Sequence, residues 1–410
     1  MLTVRFPHLL PFLETVHVGL IPLPRLSSGK MSVVVKASKE AILAAKLNKG
    51  FKVYAVPSLD LAAPPVGLLS AFFDDGDEPL VLCTPLFEDG MSHRLRDVLL
   101  SEAADVYFFD EHNRELAGYT AELVVRRSTL ELLSWTTLPE FSPAGLRGHL
   151  DRMSKWFGLR SSDDERDAIH IEFGASLVPE DLFIIDARPA SKTYLGGGKV
   201  NTSQLERQNP GPFQEQDIAL LLRRSLPAAE IYVGPLRLDN KKEVADILVL
   251  TQSALLVVQA KDSPNTAEVL SNPVSRKKAT ALHSLQKALS QISGALRYCR
   301  RSSPLRVSVD SKVIEIAIGG RQLRALVVVK ELFSDEYAEY SKLLVASAVR
   351  TATSCISLDY SELNQYTAHL YGEEALFEAF DRVFEYGVRT GTFPRLRVLP
   401  PFAAVGDDAA

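Results

Sequence analysis

An aspartate, a glutamine and a lysine stand at matched ends of two neighbouring apolar runs, and their spacing is the chain's best clue to chemistry. The runs are Ala245–Leu250 and Ala254–Lys261, with Thr251-Gln252-Ser253 between them. Both are rich in Val, Ile and Leu, short enough for strands and split by a polar break, which predicts a β-hairpin. Gln259 and Lys261 are two residues apart on a strand and so share one face. A two-residue turn at Gln252-Ser253 sets Asp246 opposite Gln259, with Lys261 one diagonal step away. A carboxylate, an amide oxygen and an ammonium group then converge at the end of a buried hairpin, where idle polar groups are costly. The chemistry open to such a trio is that of an oxygen-lined pocket that grips a divalent cation beside an ammonium group.

The elements that must position these residues follow from the pattern around them. Phe213–Ser225 reads as a helix with apolar Ile218, Leu221 and Leu222, and with Glu215 and Asp217 in its first turn. Ile231–Leu238 reads as a strand, followed by the two hairpin strands. Arg276–Arg301 is a long helix, Leu323–Lys330 a strand, Ser334–Arg350 a helix and Cys355–Leu358 a final short strand, with helical sequence up to about Arg389. Helix, three strands, helix, strand, helix and strand predict an α/β fold, a mixed sheet covered on both sides.

The first half is expected to be an α+β domain. Its strands are Met31–Lys36, Phe51–Val56, Pro79–Cys83, Asp105–Phe109, Ala121–Val125, His170–Phe173 and Leu182–Ile185. Lys39–Leu47 is a helix stopped by Asn48-Lys49-Gly50, Leu130–Trp156 is helical with breaks at Pro139 and Pro143, and Asp110-Glu111-His112-Asn113 is a polar turn. The stretch Ala187–Pro212, poor in apolar residues and rich in Gly and Pro, marks a boundary. The organisation expected is an N-terminal domain over 1–205, a second domain over 206–395 and a tail over 396–410.

An Asp on one strand and a (Glu/Gln)-x-Lys on the next, after an acidic helix and before a basic one, resembles the PD-(D/E)xK (restriction endonuclease-like) nuclease superfamily. The Gln-x-Lys form resembles its Mrr-type members. The resemblance covers Phe213–Leu358 and says nothing about the first half. It implies a restriction endonuclease-like sheet and a Mg²⁺- or Mn²⁺-dependent endodeoxyribonuclease, acting in restriction or defence. By that resemblance Asp246 is the main metal ligand, helped by the Gln259 side-chain oxygen and the Ala260 carbonyl. Lys261 orients or deprotonates the attacking water and steadies the phosphate, and Glu215 matches a helix-borne acid that some members use. Gln259 in place of an acid removes one negative charge, which Glu243 could restore if the strand entrance bends.

Charge supplies the second support. From Arg276 to Arg306 there is no Asp or Glu, while Arg276, Lys277, Lys278, Lys287, Arg297, Arg300, Arg301 and Arg306 are all basic. In a chain of formal net charge -5, this local run suits a phosphate backbone. Arg276, Lys277, Lys278 and Lys287 are the candidate nucleic-acid contacts. Gln286 and Gln291 lie on the same helix, and Gln291 is placed at the edge of the site.

Each reading has a plainer rival. Lys261 could be solvated, Asp246 could pair with Lys241 or Lys242, the basic run could be a solvated face, and Glu215 could be favoured by the helix dipole. A nuclease fold that binds nucleic acid or a protein without cutting is the main alternative, and an assembly role for the first half a further one. Gly196-Gly197-Gly198-Lys199 lacks the spacing of a phosphate loop, and Asp74-Asp75-Gly76-Asp77-Glu78 that of a calcium loop. There is no Gly-x-Ser-x-Gly elbow and no paired histidine ligand set. The 46% hydrophobic and 24% charged fractions are those of a soluble globular protein. Three distant cysteines, no signal peptide and no membrane-length apolar run predict a cytoplasmic protein, away from membranes. DNA is the expected partner, and a homodimer would supply the two sites that two cuts in a duplex require.

Overall fold

The computed structural model describes residues 1–395 except 25–28, 61–62, 74–79, 136, 181, 189–192, 198–200 and 302. The acidic Asp74–Glu78 turn, Pro79, the Gly198-Lys199 end of the glycine run and the 396–410 tail lie outside the described residues. Among those described, the chain is mixed α/β and is built around two main sheets.

The first sheet holds β1 (Gly19–Pro22), β2 (Met31–Lys36), β3 (Gly50–Val56), β4 (Gly67–Phe72), β5 (Leu80–Pro85), β6 (Ala103–Phe109), β7 (Glu115–Val124) and β8 (Ile169–Ser176). Their order is β1-β2-β6-β7-β8-β3-β4-β5, with β2 and β6 parallel. Helices α1 (Leu2–Arg5), α2 (Leu10–Thr15), α3 (Lys39–Leu47), α4 (Gly90–Leu99), α5 (Arg127–Leu132), α6 (Pro143–Phe157) and α7 (Ser162–Arg166) accompany it. The Lys39–Leu47 helix forms as the sequence predicts, because Ser38 caps it by accepting from Ala41 N–H. It buries Ile42, Leu43 and Ala45 in one core with Val33, Val35, Phe51, Phe72 and Phe108.

The boundary stretch is tied down at several points. Within it β10 (Asn201–Ser203) pairs with β9 (Ile184–Asp186). Leu195 exchanges backbone hydrogen bonds with Ile231 and Val233, and Arg207 with Asn265.

The second sheet runs β11 (Glu230–Val233), β13 (Ile247–Leu250), β14 (Ala254–Lys261), β17 (Gln322–Val329), β18 (Ser354–Asp359). The first three are antiparallel neighbours and the last three parallel, so the sheet is mixed as the sequence predicts. Every residue of β14 up to Ala260 is buried, which an apolar strand achieves only when both faces are covered. The helices packed with this sheet are α8 (Gly211–Ser225), α10 (Val274–Cys299), α11 (Tyr337–Thr351), α12 (Tyr360–His369) and α13 (Glu373–Thr390), while α9 (Ala267–Leu270) packs on α3 and places Leu270 in the first core. On α10, Leu285, Leu289, Ile292 and Leu296 enter the core at helical spacing.

One expected strand divides. Ile231–Leu238 bends at Gly234, whose φ of 60 favours a residue without Cβ, followed by Pro235. β11 therefore stays in the main sheet, and β12 (Leu236–Arg237) joins the hairpin of β15 (Leu305–Val309) and β16 (Lys312–Ile316). At the bend Gly234 N–H donates to Asp246 O at 2.8 Å, which holds the residue that matters most. Among the described residues no helix is long and apolar enough to cross a membrane.

Candidate active site

The β13–β14 register is the one the two-residue turn predicts. Ile247 pairs with Val258 and Leu250 with Leu255, and Thr251 N–H closes the turn on Ala254 O. That register carries Asp246, one residue before β13, to a place across from Gln259. Asp246 and Gln259 are 5% and 3% exposed, so neither is a casual surface residue.

The three side chains meet. Asp246 Oδ2 accepts from Ala260 N–H at 2.7 Å and from Lys261 Nζ at 3.3 Å. Lys261 Nζ also donates to Ala260 O at 2.6 Å. The solvated-lysine reading and the pairing of Asp246 with Lys241 or Lys242 therefore give way to an Asp246–Lys261 ion pair.

Gln259 has two amide orientations with different consequences. With its nitrogen inward it donates to Gln291 Oε1 at 3.1 Å and to Asp246 Oδ2 at 3.2 Å, while its oxygen accepts from Asp246 N–H at 3.1 Å. Turned over, its oxygen takes the nitrogen's place. Three acceptor oxygens then face one another, with Lys261 Nζ 3.5 Å from that of Gln259. Hydrogen bonding favours the first orientation, and a cation would select the second.

Helix α8 adds a second carboxyl. It starts at Gly211, with Pro212 in its first turn, so Glu215 lies beyond the first turn and the dipole account of its position does not apply. Burial, reinforced by the charges of Asp246 and Glu243, pushes the Glu215 carboxyl up to about 8, against the pull of Lys261. Glu243 is exposed at the rim, and burial together with Asp246 raises it too. Asp246 is itself raised, burial outweighing Lys261 and the Ala260 hydrogen bond. Three acids thus face one lysine, and each is pushed toward its protonated form. Among the described residues no cluster of three or more His, Cys, Asp or Glu has metal-holding geometry. A cation here would rest on a mixed oxygen set.

Helix α10 delivers its predicted residues unevenly. Arg276 and Lys277 line a cleft together with Lys261, and Gln291 reaches Gln259. Lys278 is taken by Asp335 and Arg306 by Glu315, so part of the basic run is neutralised by acids outside it. Lys287, Gln286 and His283 are exposed.

A second polar cluster has no forerunner in the sequence pattern. Asp217, two residues from Glu215, accepts from Arg114 Nη1 at 2.7 Å and Lys39 Nζ at 3.0 Å. Arg207 and His112 stand 3.7 Å away. His112 also meets the Tyr360 hydroxyl at 2.6 Å, and Arg114 bonds Asp186 at 3.2 Å. The Asp110–Asn113 turn does connect two strands, but Asp110, Glu111 and His112 are buried, and His112 reaches Tyr360 and Asp217 of the second half. Two carboxylates on one helix, spaced by two, were the available signal. Arg114, Lys39 and His112, which meet the second of them, belong to the other half of the chain. The chain matches no family model, no curated protein and no solved structure.

Proposed function

We propose that this chain is a metal-dependent nuclease that hydrolyses DNA phosphodiester bonds, with a restriction endonuclease-like second domain, acting in restriction or defence. The observation that carries this reading is the meeting of Asp246, Gln259 and Lys261, within electrostatic reach of Glu215 and at the edge of a cleft that Lys261 shares with Arg276 and Lys277. The pocket fits a hard divalent cation. Asp246 Oδ2, Gln259 Oε1 in the orientation that turns it inward and the Ala260 carbonyl would hold it, an oxygen set of the kind Mg²⁺ prefers. When bound, Mg²⁺ or Mn²⁺ would supply charge neutralisation at the phosphoryl oxygens and a more acidic water.

The chain's own groups do the rest. Lys261 Nζ donates to a non-bridging oxygen of the scissile phosphate. Burial and the neighbouring acids raise Glu215 to about 8 in the free protein; with a cation held beside it, Glu215 would release that proton to solvent and then accept one from the attacking water. Gln291 stands beside the Gln259 amide and accepts from it when its nitrogen is inward, and Arg276 and Lys277 hold flanking phosphates.

The test is plasmid cleavage by the full chain with Mg²⁺ or Mn²⁺. Asp246→Asn and Lys261→Ala should each slow it by about a hundredfold or more. The reading fails if wild type leaves plasmid, linear and single-stranded DNA intact, or if Asp246→Asn cuts at the wild-type rate. One observation favours a non-catalytic binding module: with the Gln259 nitrogen inward, Gln259 and Asp246 satisfy each other without a metal. Calorimetry separates the two, since that module would retain DNA while taking up neither Mg²⁺ nor Mn²⁺.

A further inference from the structure

The cleft that Lys261 opens on has a shape and lining of its own. It encloses about 220 Å³ between the ends of β14 and β17, helix α10 and the first domain. Pockets for drug-sized ligands run from roughly 300 to 1,000 Å³, so this one has room for a single nucleobase and not for a stacked duplex. Its lining is divided by chemistry. Leu270, Ala281, Val329 and Phe333 are apolar, Thr280 and Ser284 offer hydroxyls, Arg276, Lys277 and Lys330 bring positive charge beside Lys261, and Asp262, Glu331 and Glu40 bring acids. Phe333 is half-buried and supplies an aromatic face of the kind on which bases stack. Glu40 and Leu80 of the first domain form one wall, and Lys330 is tied across to Glu40 at 3.4 Å. Part of the first domain is thus built into the space next to the reactive groups.

A chamber with an aromatic face, two hydroxyls and the exposed Arg276 at its lining suits a nucleotide, the base against Phe333 and the phosphate against Arg276 and Lys261. We propose that the chamber takes one unpaired nucleobase of a DNA strand, stacked on Phe333, while Arg276 and Lys261 hold the adjoining phosphates. The substrate is then single-stranded DNA, or duplex with a base displaced from its stack, because a base inside a stacked duplex cannot enter a closed pocket. This rests on the nuclease reading for the placement of the phosphate but not for the occupancy of the chamber.

Binding is measured by fluorescence anisotropy on the full chain without divalent cation. Three labelled DNAs of equal length are compared: a single strand, a duplex with one mismatch and a matched duplex. Single-stranded and mismatched DNA should bind about tenfold more tightly than matched duplex, in line with the stacking of one base. Phe333→Ala and Ser284→Phe, the latter filling the chamber, should each remove that preference, while Gln286→Phe on the exposed side of α10 keeps it. Thermal melting establishes that the variants are folded. Equal binding of the three DNAs, or a preference untouched in folded Ser284→Phe and Phe333→Ala, overturns the proposal. A free deoxynucleoside monophosphate that competes as well as the oligonucleotide assigns the chamber to a soluble nucleotide and overturns it as well. If the preference holds but wild type with Mg²⁺ cuts nothing, the nuclease reading falls and the chamber stands. If cutting proceeds with no preference, the chamber falls alone.

Discussion

Two carboxylates on α8, Glu215 and Asp217, face opposite electrostatic worlds across half a turn of helix. Around Asp217 the charges balance. Burial alone would raise its carboxyl, yet Arg114, Lys39, His112 and Arg207 hold it well below the usual range. Around Glu215 they do not balance, and burial with Asp246 and Glu243 drives it up to about 8. A buried ionic cluster whose charges cancel is a joint, and removing one member leaves the others uncompensated. A buried cluster of acids with too few cations relieves its repulsion by taking up a proton or a counter-ion, and such shifts concentrate at functional sites. The same chemical group is held ionised in one place and pushed toward its protonated form in the other.

The sharpest way to break this comparison is to make the same change in both clusters. Asp217→Asn should destabilise the chain by about 3–5 kcal/mol, because Arg114 and Lys39 lose their shared anion in a buried site. Asp246→Asn should leave stability within about 1 kcal/mol of wild type, since it removes one of several repelling acids and keeps an acceptor for Ala260 N–H. Denaturant unfolding of the two variants at pH 7.5 checks both. Equal losses would erase the distinction between joint and site.

The pH dependence should also divide. Glu215 has a folded pKa of about 8 against an ordinary value of 4.5. The native state therefore binds the extra proton in between, and stability falls as pH rises through that window. In Glu215→Gln that loss should disappear, making the variant more stable by about 1–2 kcal/mol at pH 8 and no different near pH 4. His112 runs the other way. Burial lowers it to about 3, despite the opposing charge of Asp217. The unfolded chain takes up the proton first, so stability falls as pH drops from 6.5 towards 3. Melting curves of wild type, Glu215→Gln and His112→Gln across pH 4–9 separate the two slopes. Mg²⁺ at millimolar concentration should raise the midpoint most at the alkaline end, where the carboxyls are ionised.

The sequence carried the site further than it carried the fold. The hairpin register was legible because two β-branched runs flank a two-residue turn, and register then places every side chain on a known face. Gln291 was legible through the family resemblance, which places a Gln on the helix after the second hairpin strand. The strand bend at Gly234-Pro235 was written in residues that break strands, yet the apolar run masked it. The β15–β16 hairpin escaped because its turn, Asp310-Ser311, has both residues at positive φ without the usual glycine. β4 escaped because a strand buried throughout lacks alternation. The Asp217 joint was out of reach for a different reason. Its partners come from α3, from the Asp110–Asn113 turn with Arg114 beside it, and from the boundary stretch, and no local pattern reports a meeting made by tertiary packing.

The smallest effect expected tests the same distinction on the cations of α10. Lys278 already has an acid, Asp335, so its charge is spent within the protein. Arg276 is exposed and lines the cleft beside Lys261, so its charge is available to a phosphate. Removing a cation that holds a phosphate should weaken DNA binding about uniformly across sequences and reduce the slope of log affinity against log salt by about one. Arg276→Ala should show that drop with a few-fold weaker binding at moderate salt, while Lys278→Ala should keep the wild-type slope. Anisotropy titrations over a range of salt read both the slope and the affinity of each variant. If Arg276→Ala and Lys278→Ala reduce the slope equally, pairing within the fold does not decide which cations meet the nucleic acid, and the rule drawn from Glu215 and Asp217 does not extend beyond α8.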